Sequence, residues 1–223
     1  MEGQIVRCKS DIFYIKTKDK NIYECKARGI LKNKNLKPIV GDNVEINVLD
    51  NNLGIIEKII PRLTYLKRPP IANITQLLLV LQSNITQSDL ILLDKQIVFL
   101  ESQGITPVIC INKMDLKIDN ISDEVEKIYS KIGYRILKTI AKQNLGIEEV
   151  KEILQKNVTA LSGNSGVGKS TIINAIFNST ITEEGDLGHK TDRGKHTTRE
   201  IQIFEIEEGT CVADTPRIFK FRN

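Results

Sequence analysis

The sequence predicts two domains, a small all-β barrel of the OB type over residues 1–66 and an α/β domain over residues 67–223. Three observations support this division. Five short runs rich in Ile, Val and Tyr fill the first segment, apolar runs alternate with helical patterns in the second, and the consecutive prolines Pro69 and Pro70 separate the two patterns. Short strands divided by turn clusters are typical of small barrels, whereas strands alternating with helices indicate a parallel sheet covered on both faces.

The predicted barrel strands are QIVRC, IFYIKT, NIYECKA, NVEINVL and GIIEKII. Residues 1–70 carry 14 Lys and Arg against 8 Asp and Glu, a net charge of +6, whereas the rest of the chain carries 18 against 20. This excess suits the phosphate backbone of a nucleic acid, and a basic domain without such a partner is the alternative. Phe13, Tyr14 and Tyr23 could stack on bases, although aromatic side chains in short strands more often belong to a core.

The second domain is predicted to alternate strands and helices. In order we expect strand ITQLLLVLQ, helix DLILLDKQIVFLESQ, strand TPVICI, helix SDEVEKIYSKI, strand YRILKTI, helix GIEEVKEILQK, strand NVTALSG, helix GKSTIINAIF, and the strands REIQIFEI and TCVAD. No apolar run reaches the ~18 residues of a membrane span, and the N-terminus lacks a signal-peptide pattern. We therefore expect a cytoplasmic protein with no membrane partner. We also expect a monomer.

The cysteines do not form a metal-binding pattern. Cys8, Cys25, Cys110 and Cys211 are widely separated, and the chain has only two histidines. Zinc sites usually combine closely spaced pairs of such ligands. We expect buried free thiols and no zinc site.

The segment GNSGVGKS matches the phosphate-binding pattern G-x-x-x-x-G-K-[ST], after a predicted strand and at the start of a predicted helix. Its glycines would let successive backbone N–H groups point at a triphosphate. Lys169 would reach the β- and γ-phosphates, and the Ser170 hydroxyl would ligate Mg²⁺. The predicted nucleotide-binding residues of this loop are Gly163, Asn164, Ser165, Gly166, Val167, Gly168, Lys169, Ser170 and Thr171.

The choice of base depends on Asn112-Lys113-Met114-Asp115, which follows the predicted strand TPVICI. Asp115 could accept hydrogen bonds from both N1–H and the exocyclic amine of guanine, while Asn112 braces the loop and Lys113 lies along the base. Adenine offers no such pair of donors, and it would leave the carboxylate unpaired. GTP is therefore favoured over ATP, and an ATPase is the more distant alternative.

Two further segments are expected to hold Mg²⁺ and to change conformation when GTP is hydrolysed. The strand TCVAD ends in Asp214, a carboxylate that could hold Mg²⁺ through water. Thr197 and Thr198 lie in an aperiodic stretch between the phosphate loop and this strand. Either threonine could close on Mg²⁺ and the γ-phosphate; Thr198, beside Arg199, is the first choice.

The order of these motifs resembles a circularly permuted GTPase domain. NKMD comes first, then a base-cradling loop with Ala141 and Lys142, GNSGVGKS, KHTTR and DTP, which is the order G4-G5-G1-G2-G3. With the basic barrel in front, nearly the whole chain resembles the family of small ribosomal subunit biogenesis GTPases. The resemblance implies GTP, GDP and Mg²⁺ as cofactors, and the small ribosomal subunit and its rRNA as partners. It also implies that His196 orders the attacking water beside Thr198; a solvated loop histidine is the alternative.

Three features depart from the family pattern, and the two at the C-terminal end leave two functions open. Arg217 stands where the family motif D-T-P-G-F has glycine, Ile140 stands where a serine is usual, and the family's C-terminal zinc-binding region is not in the sequence. We expect a chain that ends before that region and binds no zinc. It is either a GTPase activated by the small subunit, or a GTP-binding and RNA-binding module with impaired hydrolysis.

Overall fold

The computed structural model describes residues 1–29, 37–49, 52–118, 120–184 and 201–215, with side chains described up to residue 177 in the last helix. The chain divides into two compact units, and the main boundary falls between Ile74 and Thr75. The domain limits expected from the sequence, 1–66 and 67–223, stay a prediction.

The first unit contains a closed five-stranded barrel, as predicted. Its strands are β1 (Glu2–Lys9), β2 (Ile12–Thr17), β3 (Ile22–Ala27), β4 (Asn43–Val48) and β5 (Leu53–Ile59). They follow the order β1-β2-β3-β5-β4, and β4 pairs back with β1 to close the barrel. Only β3 and β5 run parallel among these neighbours, and the other pairs are antiparallel. Full closure leaves none of these strands with a free edge.

Side chains along β2 alternate between the interior and the outer face of the barrel. Phe13 and Ile15 point inward and are buried, whereas Tyr14 lies on the outer face. Tyr23 of β3 is also buried. For Phe13 and Tyr23 the core interpretation is therefore confirmed, and neither ring can stack on a base. The Tyr14 ring instead lies beneath the Arg7 guanidinium, 5.6 Å from the ring centre.

A short hairpin follows the barrel in the first unit, and sequence reasoning missed it. It consists of β6 (Tyr65–Lys67) and β7 (Pro70–Ala72), with Arg68 and Pro69 at the turn. The proline pair was expected only to interrupt the pattern. Proline is nevertheless compatible with the first position of a strand, where its missing N–H need not join a ladder.

An ion pair between Arg62 and Asp42 holds the chain at the base of this hairpin. The Asp42 side chain is fully buried; it accepts from Arg62 Nε at 2.7 Å and from the Ile39 backbone N–H at 2.9 Å. Its hydrogen bond with Arg62 raises the pKa of the guanidinium. Removing Arg62 would leave a buried carboxylate without its cation.

We expect Arg62→Ala to lower the free energy of unfolding by about 3 kcal/mol, because an unpaired buried charge is costly. Urea unfolding followed by circular dichroism would measure the change. Arg28→Ala is the matched control, since Arg28 pairs with Glu57 at the exposed surface and such pairs contribute at most about 1 kcal/mol. Equal effects of the two substitutions would contradict this prediction.

The chain after the hairpin forms an α/β domain, as predicted, and most of this domain belongs to the second unit. Its strands are β8 (Gln76–Gln82), β9 (Thr106–Asn112), β10 (Arg135–Thr139), β11 (Val158–Ser162), β12 (Gln202–Glu207) and β13 (Thr210–Asp214). Its helices are α1 (Gln87–Ser102), α2 (Ile121–Ile132), α3 (Ile147–Leu154) and α4 (Lys169–Glu184). Every strand and helix expected for this part of the chain is confirmed. Two short 3-10 helices, Met114–Leu116 and Ala141–Gln143, were not expected.

The order of strands brings the predicted motifs to one edge of the sheet. The order is β10-β9-β8-β11-β13-β12, and the first four strands are parallel. Near-continuous apolar residues bury β8 and β9 on both faces, against α3 and α4 among others. The carboxyl ends of the parallel strands therefore meet at one edge, where open α/β sheets bind ligands.

Two of the four cysteines lie in the core. Cys25 and Cys110 are buried, as expected, whereas Cys8 and Cys211 are partly exposed, so the expectation of burial is wrong for these two. Burial raises the pKa of the Cys110 thiol to about 12, so it stays neutral. Among the residues described, no cluster of His, Cys, Asp and Glu could hold a metal ion, and no helix has the length and apolar content needed to cross a membrane.

Candidate nucleotide-binding site

The glycine-rich loop joins the end of β11 to the start of α4. Gly163 and Gly168 have φ values of 154° and 103°. A Cβ at Gly163 would lie 2.2 Å from the Val80 carbonyl oxygen, and a Cβ at Gly168 would lie 2.2 Å from Asn112 Nδ2. Only glycine satisfies both the backbone angle and the space at these two positions. Asn164, Ser165, Gly166 and Val167 complete the loop between them.

Lys169 folds back over the loop. Its Nζ donates to the carbonyl oxygens of Gly163 at 2.8 Å and Asn164 at 3.0 Å. Ser170 and Thr171 follow in the first turn of α4, where Ser170 is exposed. The ammonium group and the positive end of the α4 dipole therefore lie together at the loop, an arrangement suited to an anion.

Asn112 joins three segments of the site. It is the last residue of β9 and is 2% exposed. Its Nδ2 donates to the Val167 carbonyl at 2.9 Å, and its Oδ1 accepts from Thr139 Oγ1 at 3.0 Å and from the Ala141 N–H at 3.1 Å. Every polar atom of this buried amide except one N–H is thus engaged. One side chain fixes the NKMD loop against both the phosphate loop and the loop after β10.

The NKMD loop leaves β9 through a left-handed residue. Lys113 has φ 62° and ψ 42°, and Met114 and Asp115 begin the first 3-10 helix. The Asp115 side chain is exposed, as a group that meets a ligand needs to be. Lys142, at the corresponding position after β10, is exposed as well, whereas Ala141 is buried beside Asn112.

Ser83 supports this loop from the neighbouring strand. It follows the last residue of β8 and is 1% exposed. Its Oγ donates to the Lys113 carbonyl at 2.8 Å, and its backbone N–H donates to the Asn112 carbonyl at 3.0 Å. The hydroxyl therefore stabilises the uncommon backbone conformation of Lys113.

We expect Ser83→Ala to weaken guanine-nucleotide binding by roughly 3- to 10-fold, because one hydrogen bond contributes about 0.5–1.5 kcal/mol. Calorimetric titration with GDP would measure it. Ser102→Ala is the control, since the Ser102 hydroxyl also donates to a backbone carbonyl, that of Phe99, but lies at the other end of α1. Unchanged GDP affinity in the Ser83 variant would show that the loop keeps its shape without the hydroxyl.

Asp89 connects the phosphate loop to the start of α1. Thr86 and Asp89 form a capping box at this helix, and Asp89 Oδ1 also accepts from Asn164 Nδ2 at 3.1 Å. A cavity of about 60 Å³ lies beside this contact, with Leu81, Gln82, Ser165 and Val167 also in its wall. The α1 N-terminus thereby fixes the side chain of one residue in the phosphate loop.

The remaining predicted residues lie close to the last described residues or outside them. Asp214 is the last residue of β13 and is half-buried; β13 is next to β11 in the order of strands. The predicted switch residues His196, Thr197 and Thr198 lie outside the described residues, as does Arg217. Their assigned roles stay predictions.

Sequence reasoning missed Ser83, Thr139 and Asp89. Each is a supporting residue that contacts another site residue through a short hydrogen bond rather than through a motif. The one available signal was position, because Ser83 and Thr139 stand where predicted parallel strands end. The T-x-x-D spacing before the α1 apolar run, Thr86 to Asp89, is likewise a helix-cap signature.

Comparison with known proteins gives consistent matches along the chain. The RsgA N-terminal domain family matches residues 2–56, and the RsgA GTPase family matches residues 59–222. The small ribosomal subunit biogenesis GTPase RsgA of Clostridium kluyveri is 43% identical over 216 residues, covering 97% of this chain and 74% of the relative. The protein of the same name from Alkaliphilus metalliredigens is 41% identical over 219 residues, covering 96% and 74%.

Two solved structures resemble this chain in both fold and sequence. The crystal structure of YjeQ from Thermotoga maritima has a TM-score of 0.79 and 32% identity, covering 97% of this chain and 74% of that one. The structure of YloQ, a circularly permuted GTPase, has a TM-score of 0.74 and 29% identity, covering 99% and 72%. The order of motifs, the closed barrel and these matches give one result: the chain belongs to the RsgA family of circularly permuted GTPases.

Proposed function

We propose that this chain binds GTP with Mg²⁺, hydrolyses it to GDP and phosphate, and acts in the maturation of the small ribosomal subunit, with its basic barrel in contact with rRNA. Both relatives are named small ribosomal subunit biogenesis GTPase, which supports GTP hydrolysis and a role in forming that subunit. The net charge of +6 over residues 1–70 supports RNA as the partner of the first unit. Such a protein would be cytoplasmic and is proposed to be a monomer.

Asn112 supports a guanine nucleotide as the ligand, because its side chain joins the two loops that would divide the nucleotide between them. It bonds to Val167 in the phosphate loop and precedes the loop that carries Asp115. Asp115 would accept both donors on the Watson–Crick edge of guanine, and the phosphate loop would hold the triphosphate. This arrangement favours GTP over ATP.

The phosphate loop fits the group proposed for it. Glycine at positions 163 and 168 lets the loop pack directly against Val80 and Asn112, where a Cβ would clash. A loop of this shape could direct successive backbone N–H groups at a triphosphate. Lys169 would exchange its bonds to the Gly163 and Asn164 carbonyls for phosphate oxygens, a stronger charge-assisted contact. Ser170, Asp214 and either Thr197 or Thr198 would hold Mg²⁺, which supplies neutralisation of the phosphate charge. Zinc is not among the proposed cofactors.

The hydrolytic step would use residues near the predicted switch. His196 would order the attacking water, and Thr198 would close on the γ-phosphate when GTP is bound. An imidazole ring can accept a hydrogen bond from water and take up its proton, which is the role proposed for His196. Substitution of His196 by alanine tests the role, since turnover should fall while GTP affinity stays unchanged.

A GTP-binding, RNA-binding module with impaired hydrolysis is the second candidate. It is favoured by Arg217, which replaces the glycine of the family motif D-T-P-G-F. Glycine at that position lets its backbone N–H approach the γ-phosphate, and a side chain would obstruct that approach.

GTP turnover with and without purified small ribosomal subunits separates the two functions. The GTPase is expected to complete multiple turnovers and to be stimulated by subunits, whereas the module would bind GTP with no stimulated turnover. Lys169→Ala, prepared in parallel, identifies any contaminating GTPase. Absence of GTP binding by the wild-type chain would contradict both functions.

A further inference from the structure

The hairpin of β6 and β7 presents a cationic and aromatic outer face. Leu66 and Ile71, opposite each other in its register, are 1% and 0% exposed and form its inner face. Alternation places Tyr65 and Lys67 on the outer face, and Arg68 is exposed at the turn. Two adjacent cations thus stand at the tip, and an aromatic ring stands two residues before the first of them.

Hydrogen bonds to neighbouring segments fix the base of the hairpin. The buried Asn73 side chain accepts from the Leu63 N–H at 2.8 Å and donates to the Gly41 carbonyl at 2.9 Å. Thr64 Oγ1 donates to the Ile74 carbonyl at 2.7 Å. A partner that binds this hairpin would therefore have little conformational entropy to remove from the backbone.

The cations at the tip differ in their ion pairing from other cations in the first unit. Arg28, Lys58 and Arg62 are engaged by Glu57, Glu45 and Asp42 respectively. Within the part of the chain that the structure describes, Lys67 and Arg68 form no ion pair. Their charges are thus available to an external anion, since none of the carboxylates that the structure describes pairs with them.

Tyr65 adds a second type of contact. Its side chain is partly exposed, and the Arg62 guanidinium lies over the ring at 5.1 Å from the centre. Because Asp42 holds Arg62, the ring and its cation are fixed together. Cations beside an oriented aromatic ring are the combination that nucleic-acid surfaces use for phosphates and bases.

We propose that the tip of this hairpin, Tyr65, Lys67 and Arg68, is an RNA-binding element, with Lys67 and Arg68 on the phosphate backbone and Tyr65 against a nucleotide. This inference rests on the proposed function, because it names the segment through which the first unit meets rRNA. The occupant is RNA rather than an acidic protein, since an oriented ring beside two cations that pair with no described carboxylate offers both a stacking surface and phosphate contacts.

The double variant Lys67→Ala/Arg68→Ala tests the element, with Lys58→Ala as the matched control. Affinity for purified small ribosomal subunits, and for protein-free rRNA extracted from them, is measured over a series of salt concentrations. The double variant should bind more weakly, with a log–log salt slope reduced by about 0.7 for each phosphate that the variant no longer neutralises. Lys58→Ala should keep the wild-type slope, because Glu45 already neutralises Lys58.

The possible results separate the hairpin from the proposed function. If wild type binds subunits and rRNA but the double variant keeps the same slope, the hairpin assignment is overturned and the proposed function stands. If wild type binds subunits but not protein-free rRNA, the assigned occupant is wrong. If wild type binds neither, the proposed function fails and the inference with it. GTP titration and thermal unfolding of the double variant should match wild type, since the buried Leu66 and Ile71 are untouched.

Discussion

Lys169→Ala is expected to lower GTP turnover by at least ~100-fold, in line with the loss of one group that stabilises transition-state charge. The lysine is the cation already placed at the phosphate loop, where its Nζ donates to Gly163 and Asn164. Without it, the charge that develops on the transferred phosphoryl group would have only the backbone and Mg²⁺ to balance it. Single-turnover measurement with labelled GTP gives the rate directly.

The control for this prediction is Lys131→Ala, which removes an exposed lysine from the last turn of α2. Lys131→Ala removes one positive charge, as Lys169→Ala does, but it leaves the phosphate loop intact. Both variants should fold, as judged by circular dichroism. Full turnover in the Lys169 variant would refute the assignment of this loop to the phosphates.

Asp115→Asn is expected to weaken GTP binding by about 10²- to 10⁴-fold, the equivalent of two charge-assisted hydrogen bonds. An amide cannot accept from both N1–H and the exocyclic amine of guanine. Xanthine carries an oxygen in place of that amine, so the asparagine NH₂ group can donate to it. Affinity for XTP should therefore rise while affinity for GTP falls.

Competition between GTP and XTP measures this exchange of preference. Asp94→Asn is the control, because Asp94 lies on α1 and accepts from the Tyr129 hydroxyl rather than standing at the NKMD loop. It should leave the preference for GTP unchanged. An unaltered ratio of GTP to XTP affinity in the Asp115 variant would remove NKMD from the base site.

Most of the architecture was predictable because each element carries its own local signal. The strand ITQLLLVLQ is apolar throughout, as a strand covered on both faces must be, and β8 occupies that segment. GNSGVGKS predicted a strand, a loop and a helix in that order, and β11 and α4 flank the loop. In β8 and in the phosphate loop, the residue types in the sequence match the backbone structure that forms there.

Local periodicity separates the core aromatic residues from the exposed ones. Along IFYIKT, Phe13 alternates with Tyr14 and Lys16, so Phe13 lies on the buried face and Tyr14 on the outer face. The features that the sequence did not predict depend on tertiary contacts. The β6–β7 hairpin escaped prediction because prolines signal interruption, whereas buried Leu66 and Ile71 pair it together. The contacts of Ser83 and Thr139 with the NKMD loop join segments about thirty residues apart, so no local pattern records them.

The preference of the wild-type chain for GTP over ATP tests the central claim most directly. The claim is that the loop carrying Asp115 and the phosphate loop, joined by Asn112, form one guanine-nucleotide site. Calorimetric titration in the presence of Mg²⁺ should give one site per chain for GTP and for GDP. ATP should bind more weakly by on the order of 10⁴-fold, because it would leave the carboxylate unpaired. Equal affinity for ATP and GTP would contradict the claim.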